Sequence, residues 1–166
     1  ASVSDVVLCA NTESGLIRGQ VNVERTAGIK NVFLDPQDVK PLDGVIKAIL
    51  EADHIFYAPG SLYSSVIPSL LIEEIRDALH KTSADITMIT NLSNKGPDTL
   101  NMTGDDQLTA MIEHGARVDH IVCDKKSLIV KNAPKNCTVD IKDIRQNTDI
   151  HDEVLLGEYI SREFNI

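Results

Sequence analysis

The sequence predicts an α/β fold of the three-layer, Rossmann-like type, with a mostly parallel sheet and an N-terminal β-hairpin. Short apolar runs alternate with amphipathic helical segments between His54 and Cys123, and the links between them are short. Such β-α-β-α-β alternation favours parallel strands joined by right-handed crossovers. Turn residues between Thr12 and Gly15 separate two β-like segments near the start of the chain, which is typical of a hairpin.

The first third of the chain is predicted to be mainly β. Residues 6–10 form an apolar run, residues 16–23 alternate partly and return as the second hairpin strand, and residues 29–34 form a third strand that stops at Asp35. Residues 41–52 are predicted to be a helix. Its apolar face consists of Val45, Ile46, Ile49 and Leu50.

The middle of the chain carries the clearest pattern. Residues 54–58 predict a strand buried on both faces, followed by a helix to about Lys81. Proline in a helix interior costs about 3 kcal/mol but is tolerated in the first turn. Because of Pro68, the regular helix is therefore predicted to begin at Ser64 or Ser65. Residues 86–90 are the next strand, and a polar loop follows from residue 91 to residue 101.

The last third begins with a second amphipathic helix. Thr103 is a good N-cap for it, and Gly115 is a suitable C-terminal stop. Residues 118–123 predict another strand. In the tail, residues 127–130 and 138–141 are predicted to be short strands and residues 152–160 a final helix.

Composition limits the classes of function. The chain has 166 residues, the size of one domain, and its net charge of −9 repels phosphate backbones, so nucleic acid is not an expected partner. No run approaches the roughly 18 apolar residues of a membrane span. The three cysteines fit no zinc template, so no metal is predicted and a cytoplasmic location is expected.

The stretch from Ala58 to Leu71 follows the first parallel strand and is the candidate ligand loop. In an open parallel sheet, ligands bind at the carboxyl ends of the strands. Gly60 permits close backbone approach, and serine hydroxyls beside the free N–H groups of a helix start suit a phosphate or carboxylate. The same Pro-Gly turn and serine N-cap also suit an ordinary strand-to-helix turn, and both interpretations stay open.

Residues 52–71 read A-D-H-I-F-Y-A-P-G-S-L-Y-S-S-V-I-P-S-L-L. This run resembles the signature A-D-x-I-x-x-G-P-G-S-L-Y-T-S-I-I-P-N-L-L of the gluconeogenesis factor family, without a gap. That family is a branch of the CofD-like, or 2-phospho-L-lactate transferase, superfamily. Residues 7–20, 29–36 and 150–152 are similar to further segments of the family, so the resemblance extends over the whole chain.

The resemblance also shows two departures. The family's N-terminal G-G-G-T-G loop has no counterpart here, so residues 1–166 are expected to be a single α/β unit that corresponds to the C-terminal half of a longer CofD-like protein. The missing N-terminal half is then an expected partner. Where the family reads N-x-M-T-Q-x-G-E-T, Asn91 and Thr99 match and Asp98 is similar, but residues 93–97 differ.

The resemblance implies a regulatory protein that binds a nucleotide-sugar of the UDP-sugar type and is linked to carbon metabolism and cell shape in bacteria. The ligand is expected to be a phosphate-containing small molecule, and no other cofactor is predicted. The implied ligand-binding residues are Pro59, Gly60, Ser61, Tyr63, Ser64, Ser65, Asn91 and Thr99. No catalytic residue is assigned.

Two alternatives remain beside this prediction. The first is a CofD-like phospholactyl transferase or phosphotransferase half-domain, which would use a divalent metal. Its loop would read P-S-N-P, which Pro59-Gly60-Ser61-Leu62 does not match, so an enzyme is not the favoured prediction. The second is a degenerate paralogue that binds nothing. Self-association into a homo-oligomer is left open.

Overall fold

The computed structural model describes residues 5–147 and 149–165. Their strands form two sheets. Strands β1 (Val7–Thr12), β2 (Gly15–Arg18) and β3 (Ile29–Asp35) form an antiparallel sheet in the order β2-β1-β3. Strands β4 (His54–Tyr57), β5 (Asp85–Ile89), β6 (His120–Asp124) and β7 (Thr138–Lys142) form a parallel sheet in the order β4-β5-β6-β7. The predicted α/β fold, with a mostly parallel sheet and an N-terminal hairpin, is confirmed.

The helices cover both faces of the parallel sheet. They are α1 (Gln20–Glu24), α2 (Val45–Glu51), α3 (Ile67–Leu70), α4 (Glu73–Lys81), α5 (Gly104–Glu113) and α6 (Glu153–Phe164). The main apolar core joins one face of the parallel sheet to α3, α4, α5 and the antiparallel sheet. A second cluster, which includes Val122 and Tyr159, joins the opposite face to α6. This arrangement gives the three layers.

The second hairpin strand is shorter than predicted. β2 ends at Arg18, and residues 20–24 are helical rather than extended. Gly19 has a φ of 95°, and its N–H donates to the carbonyl of Leu8 at 2.8 Å, which turns the chain out of the strand. In the helix that follows, Val23 is fully buried while Val21 is 55% exposed.

The helix predicted at residues 41–52 begins only at Val45. Gly44 has a φ of 84°, a left-handed conformation that does not continue a helix, so the preceding residues stay irregular. Val45, Ile46 and Ile49 pack against the main core, as predicted. Leu50 was wrongly placed on that face, since it is 44% exposed.

Strand β4 is an edge strand, and both of its faces contact apolar clusters, as predicted: Ile55 and Tyr57 pack in the main core and Phe56 packs against the second cluster. It pairs only with β5 among the described strands, and Tyr57 is its only buried residue. The aromatic ring of Phe164 in α6 covers part of it, with its centroid 5.2 Å from that of Phe56. The short apolar run did predict the strand, but not its position in the sheet.

The helix after Ser61 does not start as predicted. One π-helical turn (Leu62–Val66) precedes α3, and the N–H groups of Ser65 and Val66 both donate to the carbonyl of Ser61, at 3.0 and 3.2 Å. In an α-helix, the carbonyl of residue 64 would accept from the N–H of residue 68, which proline lacks. Here the carbonyl of Ser64 accepts from Nε2 of Gln20 at 3.0 Å, so it remains satisfied.

Most of the last third follows the prediction. Thr103 caps α5 in a capping box with Asp106, and Gly115 follows the helix with a φ of 89°. β7 and α6 are present, with α6 extending to Phe164. Residues 127–130 are not a strand, because the N–H of Ile129 donates to the carbonyl of Ser127 in a tight turn. Within the described residues, no helix has the length and apolar character to cross a membrane.

Candidate functional site

A pocket of about 360 Å³ lies at the carboxyl ends of β4 and β5. The loop after β4 contributes Pro59, Gly60 and Ser61, and the loop after β5 contributes residues 91–93 and 96–99. Glu24, Asp149 and His151 come from other parts of the chain and complete the lining. The pocket therefore occupies the position where ligands bind in open parallel sheets.

Asn91 joins the two loops. Its Oδ1 accepts from the N–H of Gly60 at 3.0 Å, and its Nδ2 donates to the carbonyl of Gly60 at 2.8 Å. Its own carbonyl accepts from Oγ of Ser127 at 2.8 Å, which ties in the loop after β6. The amide thus satisfies both backbone groups of Gly60, and the main contribution of Asn91 is to hold the pocket in shape.

A chain of hydroxyl groups leads to a buried carboxylate. Oγ of Ser64 donates to Oγ of Ser61 at 2.7 Å, and Oγ of Ser61 donates to Oδ2 of Asp98 at 2.7 Å. Asp98 is only 6% exposed, yet within residues 5–147 and 149–165 it forms no ion pair and its Oδ1 has no hydrogen bond. Oδ1 is not fully buried, so it is open to the pocket that Asp98 lines.

The pocket carries negative charge. Its lining includes the carboxylates of Glu24, Asp98 and Asp149, and no lysine or arginine of the described chain contributes to it. Nζ of Lys95 lies 3.3 Å from Oδ1 of Asp149, where both side chains are largely exposed. Burial lowers the pKa of His151, which disfavours the positively charged form of its imidazole. Its Nε2 is buried and has no hydrogen bond within the described residues.

Of the eight residues that the sequence assigned to ligand binding, the structure places five in the pocket and three outside it. Pro59, Gly60, Ser61, Asn91 and Thr99 line the pocket together. The other three lie elsewhere, because the π-helical turn carries them away from it. Tyr63 is buried with its ring edge-on to His114, and Ser64 and Ser65 line a separate groove of about 610 Å³ beside Gln20.

The pocket residues that were not assigned to the site from the sequence include Asp98, His151 and Glu24. Asp98 lay in the loop aligned with the family pattern, where its similarity to the family's glutamate was a signal. His151 lay in the segment that resembles the family's C-terminal R-H-D. For Glu24 the sequence carries no signal, because only the folding of α1 against the π-helical turn brings it near the pocket.

The carboxylates and the histidine that line the pocket do not form a metal site by themselves. Within residues 5–147 and 149–165, no group of three or more histidine, cysteine, aspartate or glutamate side chains is placed to hold a metal ion. The transferase alternative would use a divalent metal, and this part of the chain provides no cluster of side chains to bind it.

Comparison with known proteins gives a consistent result. The family model described as 2-phospho-L-lactate transferase CofD matches residues 1–155. Gluconeogenesis factors of Halalkalibacterium halodurans and Bacillus subtilis are 36% and 37% identical over 116 residues, which is 69% of this chain. That of Listeria innocua is 28% identical over 98% of the chain. The chain spans 36%, 37% and 52% of the lengths of these three relatives.

Solved structures share the fold. The crystal structure of a Bacillus halodurans protein matches 96% of this chain with a TM-score of 0.84 and 27% identity, and the match covers 60% of that protein. A second structure, of a Bacillus halodurans member of the UPF0052 family, matches 74% of the chain with a TM-score of 0.69 and 35% identity, and the match covers 41% of that protein. The chain therefore belongs to the CofD family, and within it to the gluconeogenesis factors.

Proposed function

We propose that this protein binds a nucleotide-sugar of the UDP-sugar type and acts as a regulatory protein rather than an enzyme. The observation that carries the proposal is the pair of loops that Asn91 holds together at the carboxyl ends of β4 and β5. Because these two hydrogen bonds fix the position of one loop against the other, they lower the entropic cost of ordering the pocket around a ligand.

The lining suits a polar, ring-shaped ligand. Gly60 has no side chain, so a ligand can approach the backbone closely. Ser61, Ser93 and Thr99 contribute hydroxyl groups, and Asp98 contributes a carboxylate. The proposal includes a cytoplasmic location and a role in carbon metabolism and cell shape. These parts of it rest on the resemblance of the chain to the gluconeogenesis factor family.

Calorimetric titration with UDP-glucose and UDP-N-acetylglucosamine tests the proposal. We expect saturable binding, and we expect Thr99→Val to weaken it about tenfold, because that variant keeps the shape of the side chain and removes one hydroxyl. The matched control is Thr138→Val at the exposed start of β7, which should bind like the wild type. Absence of binding to every UDP-sugar would contradict the proposal.

Phosphoryl or phospholactyl transfer is the second candidate, and the match to the CofD family model favours it. No acid/base pair is defined in the pocket, so the transfer would depend on groups beyond the described ones. Transfer to a deazaflavin acceptor in the presence of Mg²⁺, followed by chromatography of the product, tests this candidate directly. Turnover that Thr99→Val lowers would support it over the regulatory proposal.

A further inference from the structure

We infer that the pocket binds a sugar ring of the ligand through its hydroxyl groups, while the phosphate groups lie outside the pocket. The inference rests on the proposed function and adds which part of the ligand this chain recognises. It follows from three properties of the lining: its charge, the hydrogen-bonding capacity of Asp98, and the direction of the serine protons.

The charge of the lining opposes a phosphate. Glu24 and Asp98 bring carboxylates to the pocket, the carboxylate of Asp149 is paired with Lys95, and no lysine or arginine of residues 5–147 and 149–165 is part of the lining. Like charges repel strongly where burial lowers the effective dielectric constant, and Asp98 is 6% exposed. A diphosphate inside this pocket would therefore be repelled, whereas a neutral ring would not.

Asp98 can accept further hydrogen bonds. An ionised carboxylate is an acceptor only, with room for several donors on its two oxygens. Oδ2 accepts from Ser61, while Oδ1 has no hydrogen bond in the described residues and no cation pairs with the group. Sugar hydroxyls are donors, but the oxygens of an ionised phosphate are acceptors. The chemistry of Asp98 therefore favours a sugar.

The serine protons are already directed within the protein. Ser64 donates its hydroxyl proton to Ser61, and Ser61 donates its own to Asp98. Ser61 can therefore accept a hydrogen bond from a ligand but cannot donate one without breaking its bond to the carboxylate. Nε2 of His151 is a buried polar atom in the lining that lacks a partner in the described residues. Asp98 and Ser61 present acceptors, which match a ring that carries hydroxyl donors.

Asp98→Asn tests the inference, because it keeps the shape of the side chain and removes its charge. We expect its affinity for UDP-glucose to fall about 10- to 100-fold, the usual effect of losing hydrogen bonds to a charged group. The matched control is Asp85→Asn, an exposed aspartate at the opposite, amino-terminal end of the sheet, which should leave affinity unchanged. Titration of the variant with UDP and with uridine shows which ring is bound. If Asp98→Asn loses affinity only for UDP-glucose, the pocket binds the glycosyl ring. If it loses affinity for UDP-glucose, UDP and uridine alike, the pocket binds the ribose.

A second measurement does not depend on the folding of a variant. UDP-glucose analogues that lack single ring hydroxyls should bind the wild-type protein about tenfold more weakly if the glycosyl ring occupies the pocket, and 2′-deoxyuridine nucleotides should do so if the ribose does.

Tighter binding of UDP-glucose by Asp98→Asn would overturn the inference, because it would place a phosphate beside the carboxylate. Loss of wild-type binding on adding EDTA would also overturn it, because it would indicate a divalent cation at Asp98. Binding that neither Asp98→Asn nor the deoxy analogues weaken would overturn the inference alone. Failure of the wild type to bind any UDP-sugar would overturn the proposed function as well.

Discussion

At the residue scale, Asn91 acts like a peptide group placed between two loops. Its amide donates to the carbonyl of Gly60 and accepts from the N–H of the same residue. Asn91→Asp keeps the acceptor, but it removes the donor and brings a carboxylate close to that carbonyl. We expect the free energy of unfolding to fall by about 1–3 kcal/mol, measured by chemical denaturation.

The control is Asn31→Asp, at an exposed position of β3. Oδ1 of Asn31 accepts from Nδ2 of Asn11, an interaction that an aspartate retains. We expect a change within about 0.5 kcal/mol. An equal loss of stability in both variants would contradict the bridging role of Asn91.

Arg117 binds three backbone carbonyls of residues 79–84 with one guanidinium group. Nη1 donates to the carbonyls of Leu79 and Thr82, and Nη2 donates to that of Ala84, while Nε and Nη2 both reach Asp119. Lysine keeps the charge but cannot satisfy this planar set of acceptors. We expect Arg117→Lys to lower the free energy of unfolding by about 2–3 kcal/mol in a thermal melt. Arg162→Lys on the exposed face of α6 should leave the melt unchanged.

Part of the candidate site was predictable at this scale. Pro59, Gly60 and Ser61 follow a strand directly, and the carboxyl end of a parallel strand is where ligands bind, so their place in the pocket could be inferred from the sequence. Tyr63 and Ser65 follow the same loop, but a π-helical turn sets their direction and periodicity does not predict such a turn. Glu24 reaches the pocket only through tertiary packing.

At the element scale, the strands and helices with strong periodicity were predicted, and glycines caused most of the errors. Gly19 and Gly44 both adopt positive φ values, which end β2 and delay α2. A glycine in the sequence permits such a conformation but does not require it, so the boundary follows from packing. The position of β4 at the sheet edge also depends on the whole topology.

Two glycines in helices should respond oppositely to alanine. A Cβ on Gly104 at the start of α5 would lie 2.6 Å from the carbonyl oxygen of Ile129, which is backbone and cannot move cheaply. A Cβ on Gly157 in α6 would meet no atom within 4 Å. We expect Gly104→Ala to destabilise the protein by about 1–3 kcal/mol through overpacking, and Gly157→Ala to stabilise it by about 0.5–1 kcal/mol through helix propensity. Urea denaturation of both variants measures the sign of each change in the free energy of unfolding. If Gly104→Ala stabilised the protein, the turn before Lys131 would not be packed on α5.

At the scale of the whole molecule, stability should depend on pH through His151. Burial lowers the pKa of this imidazole below its ordinary value of 6.5, so the unfolded chain takes up the proton at a higher pH than the folded chain. Between those two pKa values the unfolded state holds more protons, and the free energy of unfolding falls as the pH falls. This contribution is fully present above about pH 7 and is lost as the pH falls below about 6.5.

Other groups act in different ranges or with the opposite sign. Asp105 and Asp106 accept hydrogen bonds that lower their pKa values below 3.8, so their stabilisation is lost only in more acidic solution. The net charge of −9 becomes less negative on acidification, which reduces self-repulsion and favours the folded state. The contribution of His151 is therefore best measured as a difference between two proteins rather than from the wild type alone.

His151→Gln isolates that difference, because glutamine does not titrate. We expect the stability of the wild type relative to this variant to decrease between about pH 7.5 and pH 5.5, measured by urea denaturation at each pH. His80→Gln, at an exposed position of α4, is the matched control for the substitution. A wild-type protein that gains stability relative to His151→Gln on acidification would mean that the protonated imidazole is the favoured form. The acidic lining of the pocket would then stabilise the positive charge of the imidazolium.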